Sequence, residues 1–281
     1  MTTNLAMKPR PSFLEGGFHH KHVPIIPTSS KIDLQSNSLA SFKSTVKSYQ
    51  STTTLLKSQE VDDDTTKDPI FNGQMTITLI GGQSLLIVGS IIAAYILNTP
   101  NYGLGSNFSL TTTAMQQGAI ATIPLFGLAA FLDIFEERVQ ALKDVSRATQ
   151  RSVLALLGTK RKPIIALVTA LALGLAAGIG EEMLFRGIFQ SEMTTRFGST
   201  IAISSTSVVF GALHAVTPLY AFLASIASVF FGLLFQYSDL NLAVPIVAHA
   251  LYDVGALLWA HYTVTGMQEK EQMDIFNGVK D

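Results

Sequence analysis

The amino-acid sequence predicts an all-α, multi-pass transmembrane helical bundle. The chain is 48% hydrophobic and only 14% charged, well below the roughly 25% charged residues of soluble domains, and its mean hydropathy is +0.36. Apolar stretches of about 20 residues, the length that a bilayer-spanning helix needs, recur after Met75 and largely lack the polar face of a soluble helix. The stretches are 75–97, 110–135, 163–189, 200–216, 219–237 and 242–262.

The composition also excludes several classes of chemistry. The chain has no cysteine, which rules out disulfide frameworks, cysteine-ligated zinc, Fe–S clusters and thiol nucleophiles. Its net charge of -1 gives no indication of a nucleic-acid partner. Any catalysis must therefore use oxygen or imidazole groups.

The first segment, 1–70, is rich in Ser, Thr, Lys and Pro and has no sustained apolar period, so we predict a disordered tail. Up to Lys57 its basic residues are opposed only by Glu15 and Asp33. A basic, hydroxylated and acid-poor segment is typical of an organelle transit peptide, although an ordinary solvated tail fits about equally well.

Two N-terminal transmembrane helices are expected in 75–135, followed by a basic connection, 136–162, that carries an apolar stripe. An amphipathic helix at the membrane interface and a solvated charged loop both fit this connection. By the positive-inside rule it faces the cytosol, or the stroma or matrix of an organelle, whereas the opposite connection 98–107 carries no charge. The remainder divides into a core, 163–262, and a polar C-terminal tail, 263–281.

Ionisable residues within the core stretches are the main functional signal. Charged groups in hydrocarbon cost roughly 2.5 to 3.5 kcal/mol each on insertion scales, so they normally face the bundle interior and function there. Because the candidates fall on three segments, we predict one shared site. The candidate residues are Glu181, Glu182, Arg186, His214, His249 and Asp253.

The spacing of these residues suggests how they pair. Glu182 and Arg186 are four residues apart on one helix face and can neutralise each other, while Glu181 projects about 100° away. This makes Glu181 the candidate general base, with a structural ion network as the alternative. His249 and Asp253 are also four apart and can converge on one ligand or bond to each other.

Packing signals accompany two of these segments. Gly174 and Gly178 form a GxxxG step that lets another helix approach closely, although the motif has low specificity. Phe210 lies one turn before His214. A lone histidine in a membrane helix is often only a hydrogen-bonded packing residue.

Taken in order, Glu181-Glu182-x-x-x-Arg186, Phe210-x-x-x-His214 and His249-x-x-x-Asp253 resemble the three-motif signature of the CPBP family of CAAX proteases and bacteriocin-processing proteins. That family includes the endoprotease that trims prenylated CAAX proteins, bacteriocin-immunity proteins and many plastid members. The resemblance covers about 163–262. It implies a membrane endopeptidase acting on a membrane-associated or prenylated protein or peptide in the lipid bilayer, with a plastid membrane favoured over the ER or another organelle.

The resemblance also implies roles for the candidate residues. Glu181 with His214 would activate water, and His249 with position 253 would stabilise the oxyanion. The prenyl endoproteases usually have Asn at that last position, whereas this chain has Asp253. An ionised Asp only accepts hydrogen bonds, so it would have to be protonated or would have to orient His249 instead.

Three alternatives remain open on the sequence. Glu181, His214 and His249 supply enough ligands for Zn2+ with an open position, but the chain has no His-Glu-x-x-His helix, and we slightly favour metal-independent hydrolysis. A noncatalytic CPBP-fold scaffold or immunity-type binding protein would keep the same fold. A transporter that uses the polar cluster as a relay ranks last, because no inverted repeat is visible.

Overall fold

A computed structural model describes residues 69–279, and this part of the chain is helical with no strand. The predicted all-α bundle is therefore confirmed. The tail and its predicted transit peptide lie outside the described residues, apart from the last two positions of the tail. The helices are α1 (Gly73–Leu97), α2 (Thr112–Asp133), α3 (Gln140–Leu157), α4 (Pro163–Glu182), α5 (Ser191–Phe197), α6 (Ser199–Leu213), α7 (Pro218–Tyr237), α8 (Ala243–Val264) and α9 (Glu269–Asn277). Short 3₁₀ turns occupy Pro100–Gly103 and Glu136–Arg138.

Five helices are long and apolar enough to cross a membrane. They are α1, α2, α7, α8 and a continuous 35-residue helix, Pro163–Phe197, that comprises α4, a π-helical segment over Met183–Gln190 and α5. The fourth predicted stretch differs from expectation, because α6 has only 15 residues, a rise of about 22 Å. It ends where His214 leaves the helical conformation and Thr217 begins the next helix.

Helix starts follow the local sequence. Pro163 and Pro218 each occupy the first turn of their helix, where the missing N–H costs nothing. Thr217 caps α7 by accepting a hydrogen bond from the backbone N–H of Tyr220 at 3.1 Å, and the side chain of Asn72 caps α1 in the same way at 2.9 Å. These caps fix where the membrane helices enter the bundle.

The glycines of the GxxxG step pack α4 closely against α8. A Cβ atom at Gly178 would lie 2.9 Å from the Cβ and backbone N of Ala250, and one at Gly174 would lie 2.8 Å from the side chain of Val254. Only glycine allows this approach. Because Ala250 and Val254 directly follow His249 and Asp253, the step brings the two polar segments of these helices together.

The basic connection forms the amphipathic helix α3. Its apolar C-terminal half is buried against α4 and α8, with Leu154 and Leu157 packing near Ala260 and Val264. The apolar face in this half therefore packs on protein.

In the segment expected to be a polar tail, the structure has the helix α9, and Gln272 connects it to α8 by donating to the carbonyl of Val264 at 2.7 Å.

Candidate active site

The candidate residues lie where three membrane segments meet. Glu181 and Glu182 are the last two residues of α4, and Arg186 follows in the π-helical segment. His214 caps the C-terminal end of α6, and His249 and Asp253 lie on α8. π-helical turns are rare and occur frequently at functional sites. Here the hydroxyl of Ser191 donates to the carbonyl of Arg186 at 2.9 Å, five residues back.

Glu182 lies at the centre of a buried polar cluster. Its Oε1 accepts hydrogen bonds from Nη1 of Arg186 at 3.0 Å and from Nδ1 of His249 at 2.8 Å. Because an ionised carboxylate only accepts, Nδ1 of His249 carries a hydrogen. Nη2 of Arg186 donates to both the carbonyl and the hydroxyl of Ser228 at 2.9 Å. This buried charge pair therefore links α4, α7 and α8.

A side-chain amide also links the π-helical segment to α7. Nε2 of Gln190 donates to the carbonyl of Gly232 at 3.1 Å. Gln190 follows Arg186 by four residues, just as Gly232 follows Ser228. A Cβ atom at Gly232 would lie 2.8 Å from the side chain of Gln190. The matched spacing sets the register of the two segments.

Aromatic rings enclose the charged groups. The guanidinium carbon of Arg186 lies 5.2 Å from the ring of Phe210 and 5.4 Å from that of Phe231, distances that favour cation–π attraction. The ring of His214 stacks on Phe210 at 4.2 Å, and that of His249 stacks on Phe231 at 4.8 Å. Each candidate histidine is thus held against one phenylalanine.

Glu181 faces the histidine of α6. Its Oε2 lies 3.6 Å from Nε2 of His214, and its Oε1 accepts a hydrogen bond from Nε2 of Gln83 on α1 at 3.1 Å. Nδ1 of His214 lies 2.8 Å from the carbonyl oxygen of Phe210. Since a carbonyl only accepts, Nδ1 carries a hydrogen; Nε2 of a neutral ring and Oε2 of Glu181 are then both acceptors, and a water molecule can bridge them by donating one hydrogen to each.

The second histidine contacts a carboxylate on its own helix. Nε2 of His249 lies 3.5 Å from Oδ2 of Asp253. Nδ1 of His249 already carries a hydrogen for Glu182, so the favourable form of the pair has a further proton on Nε2 or on Asp253, since two bare acceptors would repel. The pair can therefore offer one hydrogen-bond donor.

The two pairs belong to one site. Phe210 stacks on His214 and also meets the ring of His249 edge-on, with 6.4 Å between the ring centroids. The side chain of Asp253 is 36% exposed and that of His214 is 18% exposed. The site is therefore buried at Glu182 and open at these two residues.

The geometry does not fit a zinc centre. Among residues 69–279, no three His, Asp or Glu side chains converge closely enough to hold a metal ion. Nδ1 of His249 bonds Glu182, and its Nε2 lies beside Asp253, so both ring nitrogens of His249 have carboxylate neighbours other than Glu181.

Comparison with known families gives one match. Residues 163–255 match the family model described as Rce1-like, the type II CAAX prenyl endopeptidase Rce1-like family. The match supports the assignment of this segment to the CPBP family of CAAX proteases. The CPBP segment runs from the start of α4 into α8 and contains all six candidate residues. No curated protein and no solved structure matches the chain.

Several polar contacts of the candidate site were not predicted from the sequence. Gln83, Gln190 and Ser228 each bond a residue of the site or its flank. The sequence feature that could have indicated them is a side-chain amide or hydroxyl within an otherwise apolar stretch. His261 in the last predicted stretch was also missed, and it lies at the opposite end of α8, where Nε2 accepts from the backbone N–H of Lys162 at 3.3 Å.

Proposed function

We propose that this protein is an intramembrane endopeptidase that hydrolyses a peptide bond of a membrane-associated or prenylated protein through a water molecule activated by Glu181 and His214. The contact of 3.6 Å between Oε2 of Glu181 and Nε2 of His214, within a CPBP-family segment, is the observation that carries the proposal. Membership of a CAAX protease family and five candidate spans support hydrolysis within a membrane.

In the first step, a water molecule between these two groups is deprotonated. The carboxylate of Glu181 takes one proton, and the Nε2 lone pair of His214 accepts a hydrogen bond from the other hydrogen. The water oxygen forms a bond to the carbonyl carbon of the substrate. The carbonyl π electrons move to oxygen, which becomes the oxyanion of a tetrahedral intermediate.

The pair formed by His249 and Asp253 stabilises that oxyanion. The proton that the pair shares donates a hydrogen bond to the developing negative charge and stays with the pair. When the intermediate collapses, the C–N bond breaks and the carboxylic acid of Glu181 returns its proton to the leaving nitrogen. The products are a new carboxyl terminus and a new amine, so Glu181 is regenerated as a carboxylate.

Glu182 and Arg186 act on the chemistry through His249. The bond from Nδ1 of His249 to Glu182 fixes the tautomer and the ring orientation, as carboxylate partners of histidine commonly do. Arg186 neutralises Glu182 and is itself held by Ser228. This buried cluster keeps the donor face of His249 directed at Asp253.

A plastid membrane is the favoured location within this proposal. The basic, acid-poor composition of the first 60 residues supports organelle import. Fusing this segment to a fluorescent reporter tests it, with the same segment carrying glutamate in place of its basic residues as control. Plastid fluorescence is expected from the first fusion alone, and a diffuse cytosolic signal from it would contradict the import.

A noncatalytic CPBP-fold binding protein is the second candidate. Asp253, which stands where the prenyl endoproteases usually have Asn, favours it, because an ionised Asp cannot donate to an oxyanion. This candidate predicts the same buried cluster without turnover. It also predicts that replacing Glu181 leaves the biological effect of the protein intact.

The deciding experiment uses the full chain in proteoliposomes with internally quenched peptides that carry or lack a prenylated cysteine. We expect wild-type protein to cleave the prenylated peptide and Glu181→Gln to lack this activity, because an amide cannot take the proton of water. Equal rates for the two proteins at background level would contradict the peptidase proposal and favour the binding protein.

A further inference from the structure

The first membrane helix reaches the proposed base from outside the family segment. Gln83 of α1 donates from Nε2 to Oε1 of Glu181 at 3.1 Å, although α1 precedes the matched residues 163–255. The backbone brings them together, because a Cβ atom at Gly180 would lie 2.9 Å from the carbonyl oxygen of Gln83. Only glycine at position 180 allows α1 to approach this closely.

The hydrogen bond assigns different tasks to the two oxygens of Glu181. A carboxylate only accepts, so the amide nitrogen of Gln83 must face it. This bond fixes Oε1. Oε2 is then directed at Nε2 of His214, 3.6 Å away, where the attacking water would be activated.

A purely structural role explains Gln83 poorly. The amide oxygen of Gln83 is buried and has no hydrogen-bond partner within residues 69–279, and burying an unpaired amide group costs free energy. A leucine of similar size would suit an apolar helix better. Within residues 69–279 the side chain makes one hydrogen bond, to Glu181, and this bond accounts for its polar character.

We propose that Gln83 is a positioning residue that orients the carboxylate of Glu181 for proton abstraction, so that α1 forms part of the active site. This inference rests on the proposed function. It assigns a role in the reaction to a helix that the family match does not cover. Gln83 itself touches neither the substrate nor the water.

Three variants of the full-length protein test this role. Gln83→Leu should lower kcat by about tenfold to a hundredfold with little change in KM, because a misdirected base loses rate rather than binding. Gln83→Glu can donate only while protonated and repels Glu181 when ionised, so its activity should be confined to lower pH than that of the wild type. Gln74→Leu makes the same substitution at an exposed position of α1 and should behave as the wild type.

A measurement that needs no activity accompanies the kinetics. Melting temperatures of Gln83→Leu, Glu181→Leu and the double variant form a double-mutant cycle in which each single variant removes the hydrogen bond, and direct contact predicts that the two effects are not additive. A cleaving wild type together with unchanged kcat and pH profiles in Gln83→Leu and Gln83→Glu would overturn the positioning role alone. Additive melting shifts would also overturn it. A wild type that cleaves no substrate would overturn the proposed function and this role with it, whatever the cycle gives.

Discussion

The carboxylate of Glu182 accepts a hydrogen bond from Nδ1 of His249 at 2.8 Å, and this contact joins helices whose residues are 67 positions apart. The same oxygen accepts from Arg186. One oxygen therefore serves both the buried cation and the histidine of the proposed oxyanion site.

The two neighbouring glutamates should respond differently to the same substitution. Glu182→Gln leaves Arg186 poorly paired in the interior, an error worth roughly 3 to 5 kcal/mol when a buried ion pair is broken. We expect a clearly lower melting temperature and loss of activity. Glu181→Gln should lose activity and keep a melting temperature near that of the wild type. Melting curves and cleavage rates in one detergent compare them, and equal destabilisation by both would contradict the division of roles.

Gly178 of α4 and Gly127 of α2 allow a matched comparison of two glycine-to-alanine variants. Gly178→Ala places a Cβ atom 2.9 Å from Ala250, so α8 must shift at a cost of about 1 to 3 kcal/mol. Because this displaces His249, activity should fall with the melting temperature. Gly127→Ala meets nothing within 4 Å and should be neutral or slightly stabilising, since alanine favours the helix. A normal melting curve and rate for Gly178→Ala would show that the close approach is not needed.

Variants of Asp253 test whether cleavage needs the proton that Asp253 shares with Nε2 of His249. In Asp253→Asn the amide supplies a donor that does not titrate, so cleavage should persist to higher pH than in the wild type, whose pair loses its proton as pH rises. Asp253→Leu should abolish cleavage at every pH. The check is a profile of kcat against pH for the three proteins, and an Asn variant that is inactive throughout would mean that the carboxylate itself is required.

Chelators provide a test of the metal-free mechanism. Because no three potential ligands converge in the described range 69–279, EDTA or 1,10-phenanthroline should leave the cleavage rate unchanged. A zinc peptidase treated in parallel supplies the positive control. Inhibition that added Zn2+ reverses would show that the candidate ligands rearrange around an ion and would refute the mechanism.

The sequence could predict what depends on local spacing. Glu182 and Arg186 are i and i+4 on one helix, so their pairing follows from helix geometry, and the apolar stretches define the spans. The GxxxG step of α4 indicates that another helix packs closely against it. Its partner, the Ala250 side of α8, depends on the bundle arrangement and could not be read from the chain.

Other features depend on tertiary geometry. Gln83 and Glu181 are 98 positions apart, and only the approach of α1 to Gly180 creates their bond. Sequence reasoning assigned Glu182 to Arg186 alone, because the bond to His249 requires the placement of α8. The shortness of α6 was missed because hydropathy does not register that His214 leaves the helix.

That short helix has a consequence for the surrounding lipid. An apolar helix that rises about 22 Å creates a hydrophobic mismatch with a hydrocarbon layer of about 30 Å. Either the bilayer thins beside α6 or one end of the helix stops below the headgroups. If the bilayer thins at the end that carries His214, water comes nearer to this residue. If that end stops below the headgroups, His214 meets a membrane-embedded substrate at the depth of its peptide bond.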